Sequence, residues 1–456
     1  MACAEQSPGG QDPFCAVETG VGGRNLTDLL LGHLPDGEFR KIFIKPNWVR
    51  HQQDEAFPIG CLVTSPRLLD SLIEACLGKY RSVERIIVGD VPLQDCDWDQ
   101  LSAQAGIAEL KKKYERASGP LVRIADLRRE RFRNHGGYLE PDAPNGGDEL
   151  GYRDVVLDQR SFLEEISDAA GSFRVADYSR QVTTSSHRKG FHRYHIAASA
   201  LDCDLFLNVP KMKTHQKTGI TGALKNLIGI NGEKASLVHY RSGGVACGGD
   251  EFPPGAAPLL ILQTRLRSLV QKRSKLLFRL GAGGWRVARW LGGIEVRGTP
   301  QNLAKCFYTT GGAWFGNDTL WRTIYDLNRI VRYAPPAGGA LRDTPQRAYF
   351  TVIDGMLAGE GNGPLQALPV ATDALVLASD PFLADAAMSA LMGFDYRKIP
   401  VLSHMTAFQD PAWGRFSPEG TPVWWNGSPR PGLESLPVLH PFRPAPGWRG
   451  HIERDE

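Results

Sequence analysis

Two patterns of apolar residues alternate along the chain: short unbroken runs, and longer stretches with apolar positions three or four apart. The first predict buried strands and the second helices packed on one face. KIFIKPNWV (41–49) is a β-type run that ends in polar residues, and TSPRLLDSLIEACL (64–77) reads as a helix with Thr64 or Ser65 as cap and Pro66 in its first turn. VERIIVGD (83–90) is a second strand, so strand, helix and strand follow in the order of a crossover unit in a parallel sheet, with Asp90 at a strand's C-terminal end. CDLFLNVP (203–210) is a third. It leads into KMKTHQKTGITGALKNLIG (211–229), read as a polar loop and then a short helix with Leu224, Leu227 and Ile228 on one face and Gly229 as its stop. NDTLWRTIYDLNRIVRY (317–333) is a helix with an Asn or Asp cap, in which Arg322 and Asp326 have the spacing of an i, i+4 ion pair, and AYFTVIDG (348–355) is a strand ending in Asp354.

These elements define an α/β protein: an open, mainly parallel sheet with flanking helices, plus helical and irregular insertions. The expected organisation is a leader (1–37), a first part of the core (38–257) with an insertion at about 105–170, a basic amphipathic helical insertion (258–300), a second part of the core (301–408) and an irregular C-terminal wrap (409–456). In the 258–297 segment Leu262, Leu266, Leu269, Val270, Leu276, Leu277 and Leu280 recur at helical spacing among Arg265, Arg267, Lys272, Arg273, Lys275 and Arg279, with Trp285 and Trp290 beyond. Such a helix either packs on the core with a solvated basic face or docks on anionic lipid or a partner protein.

Composition narrows the choices. At 456 residues, 42% hydrophobic and 23% charged, the chain has ordinary globular usage. A net charge of +3 is too small to argue for nucleic acid. The eight cysteines contain no CxxC pair, so neither a zinc knuckle nor an iron–sulfur cluster is spelled out, and buried reduced thiols are expected. No GxxxxGK[ST] or strand-linked GxGxxG occurs, so no dinucleotide is expected. The N-terminal residues lack a basic start followed by an apolar core, and no apolar run approaches the roughly 18 residues of a membrane span. A cytoplasmic protein is expected, with a peripheral position at the inner membrane face if the basic helix docks there.

In an open parallel sheet ligands bind beyond the strand C-termini. Lys45 and Asn47, Asp90, the segment from Lys211 to His215, and Asp354 all occupy such ends. Lys211, Lys213, Thr214, His215, Lys217, Thr218, Thr221, Lys225 and Asn226 form the densest cluster; its glycines, Gly219 and Gly222, let backbone approach a ligand, and its lysines suit phosphate or carboxylate. The alternative is a solvated basic loop with a well-capped helix. Asp354 and Glu360, in DGMLAGEGNGP (354–364), are the candidate Mg²⁺ ligands, or belong to a plain turn. Asp380 and Asp385 read as the charge and cap of a helix N-terminus. His187, His192, His195 and His239 are candidate partners of His215 without the spacing of a zinc hydrolase.

KPN after the first strand, VTSP, VGD, NVPKMKTH, TGALKNLIG, VIDG, GEGNGP and a DP segment ending LMGFD follow in order from about Lys41 to Ile399. Together they resemble the domain-of-unknown-function family 362, in a variant without the ferredoxin-like iron–sulfur module that many relatives carry. The resemblance implies an α/β domain with family-type positions at Lys45, Asn47, Asp90, Lys211, Lys213, His215, Lys225, Asn226, Asp354 and Gly361. The expected function is an enzyme acting on a phosphorylated or carboxylated small molecule. Lys45, Asn47, Lys211, Thr214, Thr218, Lys225 and Asn226 would bind the anion, Asp90 or His215 would transfer a proton, and Lys213 belongs with both groups. The alternative is a non-catalytic accessory protein that docks at the inner membrane face and binds an anionic or lipid-linked partner.

Overall fold

A computed structural model describes residues 13–115, 119–134, 139–167, 171–175, 178–273, 307–410, 413–417 and 420–455. Its centre is a 12-stranded sheet. In chain order the strands are β1 (Cys15–Thr19), β2 (Lys41–Pro46), β3 (Arg85–Asp90), β4 (Leu121–Asp126), β5 (Leu205–Val209), β6 (Lys211–His215), β7 (Gly219–Thr221), β8 (Ala348–Asn362), β9 (Gln366–Val370), β10 (Ala374–Ala378), β11 (Val423–Trp425) and β12 (Ser428–Arg430). Strands β8, β5, β2, β3 and β4 lie side by side and parallel. Antiparallel β10 then links β8 to β1. The protein is thus α/β with a mostly parallel central sheet, as its sequence pattern predicts.

The unbroken apolar runs have a simple cause: both sheet faces are covered, so successive side chains all meet apolar neighbours. Ile42 and Ile44 of β2 join one core, with Leu68, Leu72 and Ile73 of the helix α2 (Pro66–Lys79), which follows α1 (Leu26–Leu31). Phe43 between them faces the other core. That second core is built by α5 (Leu320–Tyr333) and α6 (Pro381–Leu391), which follow α3 (Ala223–Asn226) and α4 (Pro258–Arg273).

Several boundaries differ from the sequence expectation. Residues 211–221, expected as a loop, form the β6–β7 hairpin, and β5 and β6 make one line along β8 broken at Pro210. Polar residues can occupy this buried strand because their side chains find internal partners, a property that apolar patterning does not detect. The expected insertion at 105–170 contributes β4, the sheet's edge. Within the C-terminal wrap, β11 pairs in parallel with β1. Asn317 caps α5, its Oδ1 accepting from the Thr319 and Leu320 N–H groups. Arg322 pairs with Glu165 and Asp318 instead of Asp326, whose carboxylate accepts from Ser161, Tyr194 and the Phe162 N–H.

In α4, Leu260 and Gln263 are buried while Leu262 is exposed, so the expected apolar face is not kept at Leu262. The positions from Lys275 to Trp290 lie outside the described residues. No described helix is long and apolar enough to cross a membrane. Of the described cysteines, Cys15, Cys61, Cys76, Cys96 and Cys203 are buried thiols and Cys247 is exposed.

Candidate functional site

A cavity of about 210 Å³ opens beyond the C-terminal ends of β2 and β3. Lys45, Asn47 and Asp90 form its floor, His215, Gln216 and Lys217 enter from the β6–β7 hairpin, and the stretch from Lys225 to His239 closes it together with Pro364 and Leu365. Val49, Val91, Leu93, Val175, Ile228 and Leu237 give it mainly apolar walls. Lys45, Lys217, Lys225 and Lys234 line it, against Asp90 as the one carboxylate among the described lining residues. A larger cleft of about 550 Å³ lies beside β4, but its charged side chains are already paired: Lys111 with Glu115, Arg123 with Glu149, and Asp126 with Arg128.

Each lysine of the site has a different electrostatic situation. Lys45 Nζ is fully buried, 2.7 Å from Asp90 Oδ1, and donates to the Pro46 carbonyl at 2.6 Å. The other Asp90 oxygen accepts from the Trp48 N–H, which fixes the carboxylate at the end of β3. Gly229 makes this pair possible: a Cβ there would lie 2.0 Å from Asp90 Oδ1 and 2.6 Å from Lys45 Nζ. Lys225, half-buried on α3, has no hydrogen-bond acceptor among the described residues, and burial followed by the charge of Lys45 lowers its pKa to about 8. Lys234 is buried with one acceptor, the Ile228 carbonyl at 3.2 Å, and burial is the main cause that brings its pKa to about 7, against an opposing pull from Asp90.

Two histidines complete the lining. Burial, then nearby lysines, push His215 well below the usual imidazole range, and burial followed by Lys217 does the same to His239. Both rings are therefore neutral at pH 7, and their partners set the tautomers. His215 Nδ1 accepts from the Lys217 N–H at 3.0 Å, so its hydrogen sits on Nε2. His239 Nδ1 is 3.1 Å from the Leu237 carbonyl, which can only accept, so its Nε2 carries a lone pair. The cavity thus meets one ring ready to donate and one ready to accept.

The other expected binding residues have their polar groups engaged inside the chain. Asn47 accepts from Lys213 and donates to Asn226, which donates to Asn208 and to the Lys45 carbonyl. This amide network ties β2, β5, β6 and α3 together beneath the cavity. Lys213 also donates to the Leu62 carbonyl, Thr214 to Gly361 and Thr218 to Ile220. Burial, followed by Lys225 and Lys211, holds the Lys213 pKa well below the usual lysine range. Lys211 is 2.9 Å from Asp354, whose carboxylate also accepts from the Ser65 and Met356 N–H groups, away from the cavity and at the start of α2. Glu360 is bound instead by Arg443 and lies 3.8 Å from His440. Asp354 and Glu360 therefore do not converge, and no group of three or more His, Cys, Asp or Glu suited to a metal occurs among the described residues.

The glycines expected to admit a ligand admit protein groups. A Cβ on Gly222 would meet Asp385 Oδ1 at 2.0 Å, and that carboxylate accepts from the Ala223 and Leu224 N–H groups at the start of α3. Asp380 caps its own helix, whereas Asp385 caps a different one. Gly219 (φ 78°) lies against the Trp448 ring. Of the candidate partners of His215, the structure brings His239 to the cavity; His187 and His192 face each other at 3.3 Å, and His195 binds Asp154. Lys234 was missed by sequence reasoning, and only its position shortly after the LKN motif pointed towards the site.

Fold and cavity define an α/β protein with a cationic pocket at strand ends. Residues 152–390 match the model of the family described as domain of unknown function (DUF362), and the chain belongs to that family. No curated protein matches it. A structural-genomics crystal structure of a protein from Thermotoga maritima is similar at 12% identity and a TM-score of 0.33, covering 80% of this chain and 56% of that one. This chain therefore spans a little over half the length of that neighbour.

Proposed function

We propose that the protein is an enzyme acting on a small phosphorylated or carboxylated molecule in the cavity between β2, β3 and the Lys225–His239 stretch. The observation that carries this reading is the charge balance of the lining: four lysines and one carboxylate among mainly apolar walls. The ammonium of Lys225, which lacks an acceptor among the described residues, is the anchoring cation. In so apolar a setting a charge-assisted hydrogen bond to an anion is stronger than in water. Proton transfer belongs to His215 and His239, whose Nε2 atoms have no partner among the described residues. Asp90 has its oxygens committed to Lys45 and the Trp48 N–H, so it positions the lysine instead.

The test is thermal stabilisation of the purified protein by phosphorylated and carboxylated metabolites, with and without Mg²⁺, since a ligand of the native state raises stability by mass action. Stabilisation that is lost in Lys225→Met and kept in Lys211→Met supports the reading. No stabilisation by any compound, or loss only with Lys211→Met, refutes it.

A further inference from the structure

We propose that Lys234 is a covalent nucleophile towards carbonyl groups, and that the substrate class of the cavity is a small 2-oxo acid whose carboxylate rests on Lys225. This deepens the anion-site reading and rests on it. The geometry separates the tasks of the two lysines. Lys225 has no acceptor among the described residues and is available to an incoming anion, whereas Lys234 is held by one backbone carbonyl, the Ile228 oxygen. An amine that donates one hydrogen to that carbonyl keeps its lone pair for attack.

Ion pairing is common among the described lysines. Lys41, Lys45, Lys79, Lys113, Lys211 and Lys398 each lie against a carboxylate. Lys234 has no such ion pair, although it is 6% exposed and shares the cavity with three other lysines. A desolvated lysine beside other cations is the setting in which an amine is neutral and nucleophilic near neutral pH. Its lowered pKa, about 7, agrees with that setting.

In the reaction the neutral Lys234 amine adds to the carbonyl carbon. A C–N bond forms, the C=O π pair moves to oxygen, and that oxygen gains a proton while nitrogen loses one. The resulting carbinolamine then releases its hydroxyl with a proton as water, leaving a C=N bond. The balance is one amine and one carbonyl to one imine and one water, with no oxidant or reductant. The complementary tautomers of His215 and His239 supply the donor and acceptor for these proton movements. The apolar walls limit hydrolysis of the imine.

The experiment incubates the full chain with pyruvate as probe, reduces with sodium cyanoborohydride, and reads intact mass and peptide maps. The expected product carries one 1-carboxyethyl group on Lys234. Lys234→Arg removes the nucleophilic amine while leaving a cationic side chain in the cavity, and should retain stabilisation by pyruvate while losing the adduct. Lys225→Met should lower adduct yield about tenfold, the loss of one charge-assisted contact. Stabilisation by pyruvate without an adduct at Lys234, or an adduct spread over surface lysines, overturns the covalent role and leaves the anion site standing. Absence of stabilisation by any phosphorylated or carboxylated compound overturns both.

Discussion

Replacing Lys234 with methionine should make the protein more stable at low pH and less stable at high pH. Burial lowers this lysine from an ordinary 10.5 to about 7, so the folded chain binds fewer protons than the unfolded chain between those values. Stability from this group therefore rises with pH across that window. The penalty for holding the lysine is complete below about pH 7 and gone above about 10.5. At about 1.4 kcal/mol per pH unit the full penalty is about 5 kcal/mol, an upper value because neighbouring groups relax. Methionine removes it but leaves the Ile228 carbonyl without its donor, a loss of about 1–3 kcal/mol. The net gain at pH 6 is then about 2–4 kcal/mol. With an unfolding entropy of about 2 cal/mol/K per residue, a chain of 456 residues shifts its Tm by roughly 2–4 °C. Thermal and urea unfolding of both proteins from pH 6 to 10 gives the answer. A difference that does not change with pH, or a less stable variant at pH 6, would refute the electrostatic account of Lys234.

Gly229→Ala drives a methyl group into the Lys45–Asp90 pair and should destabilise the protein by about 3–5 kcal/mol, as breaking a buried ion pair does; a Tm within 1 °C of wild type would show that the pair does not pack there. Asp354→Asn should lose a similar amount of stability, while any ligand stabilisation of the surviving folded protein stays at its wild-type size, because the Lys211 pair lies outside the cavity. Asp385→Ala removes the cap of α3 and should cost about 1–2 kcal/mol together with a measurable loss of ligand stabilisation through Lys225; unchanged ligand response would separate α3 from the site.

Much of the sheet was legible because strands covered on both faces carry unbroken apolar runs, as IFI (42–44), IIV (86–88) and LFL (205–207) do. The hairpin carrying Lys211 and His215 was not, since its buried side chains are satisfied by partners distant in sequence, such as Asp354 and Asn47. The same limit applies to the site. Residue types alone identify Lys45, Lys211, Lys213 and Lys225 equally as anion binders; only the fold shows that Asp90 and Asp354 occupy two of them, that amide and carbonyl oxygens hold the third, and that Lys225 is available. Spacing also misled at Arg322, where Glu165 and Asp318 displaced the i, i+4 partner Asp326.

The C-terminal stretch has a consequence for biosynthesis. Trp448 packs on Gly219 and donates its Nε1 hydrogen to the Gln216 carbonyl at 2.8 Å, and Arg443 grips Glu360 on β8. These contacts support the hairpin that presents His215, yet Trp448 follows Gly219 by 229 residues. At roughly 5–20 residues per second, a ribosome delivers it about 10–50 s later. During that interval the nascent chain carries its lysine cluster without the ring that backs it, so the pocket is completed only once a stretch made much later has emerged, by contacts of very long sequence separation.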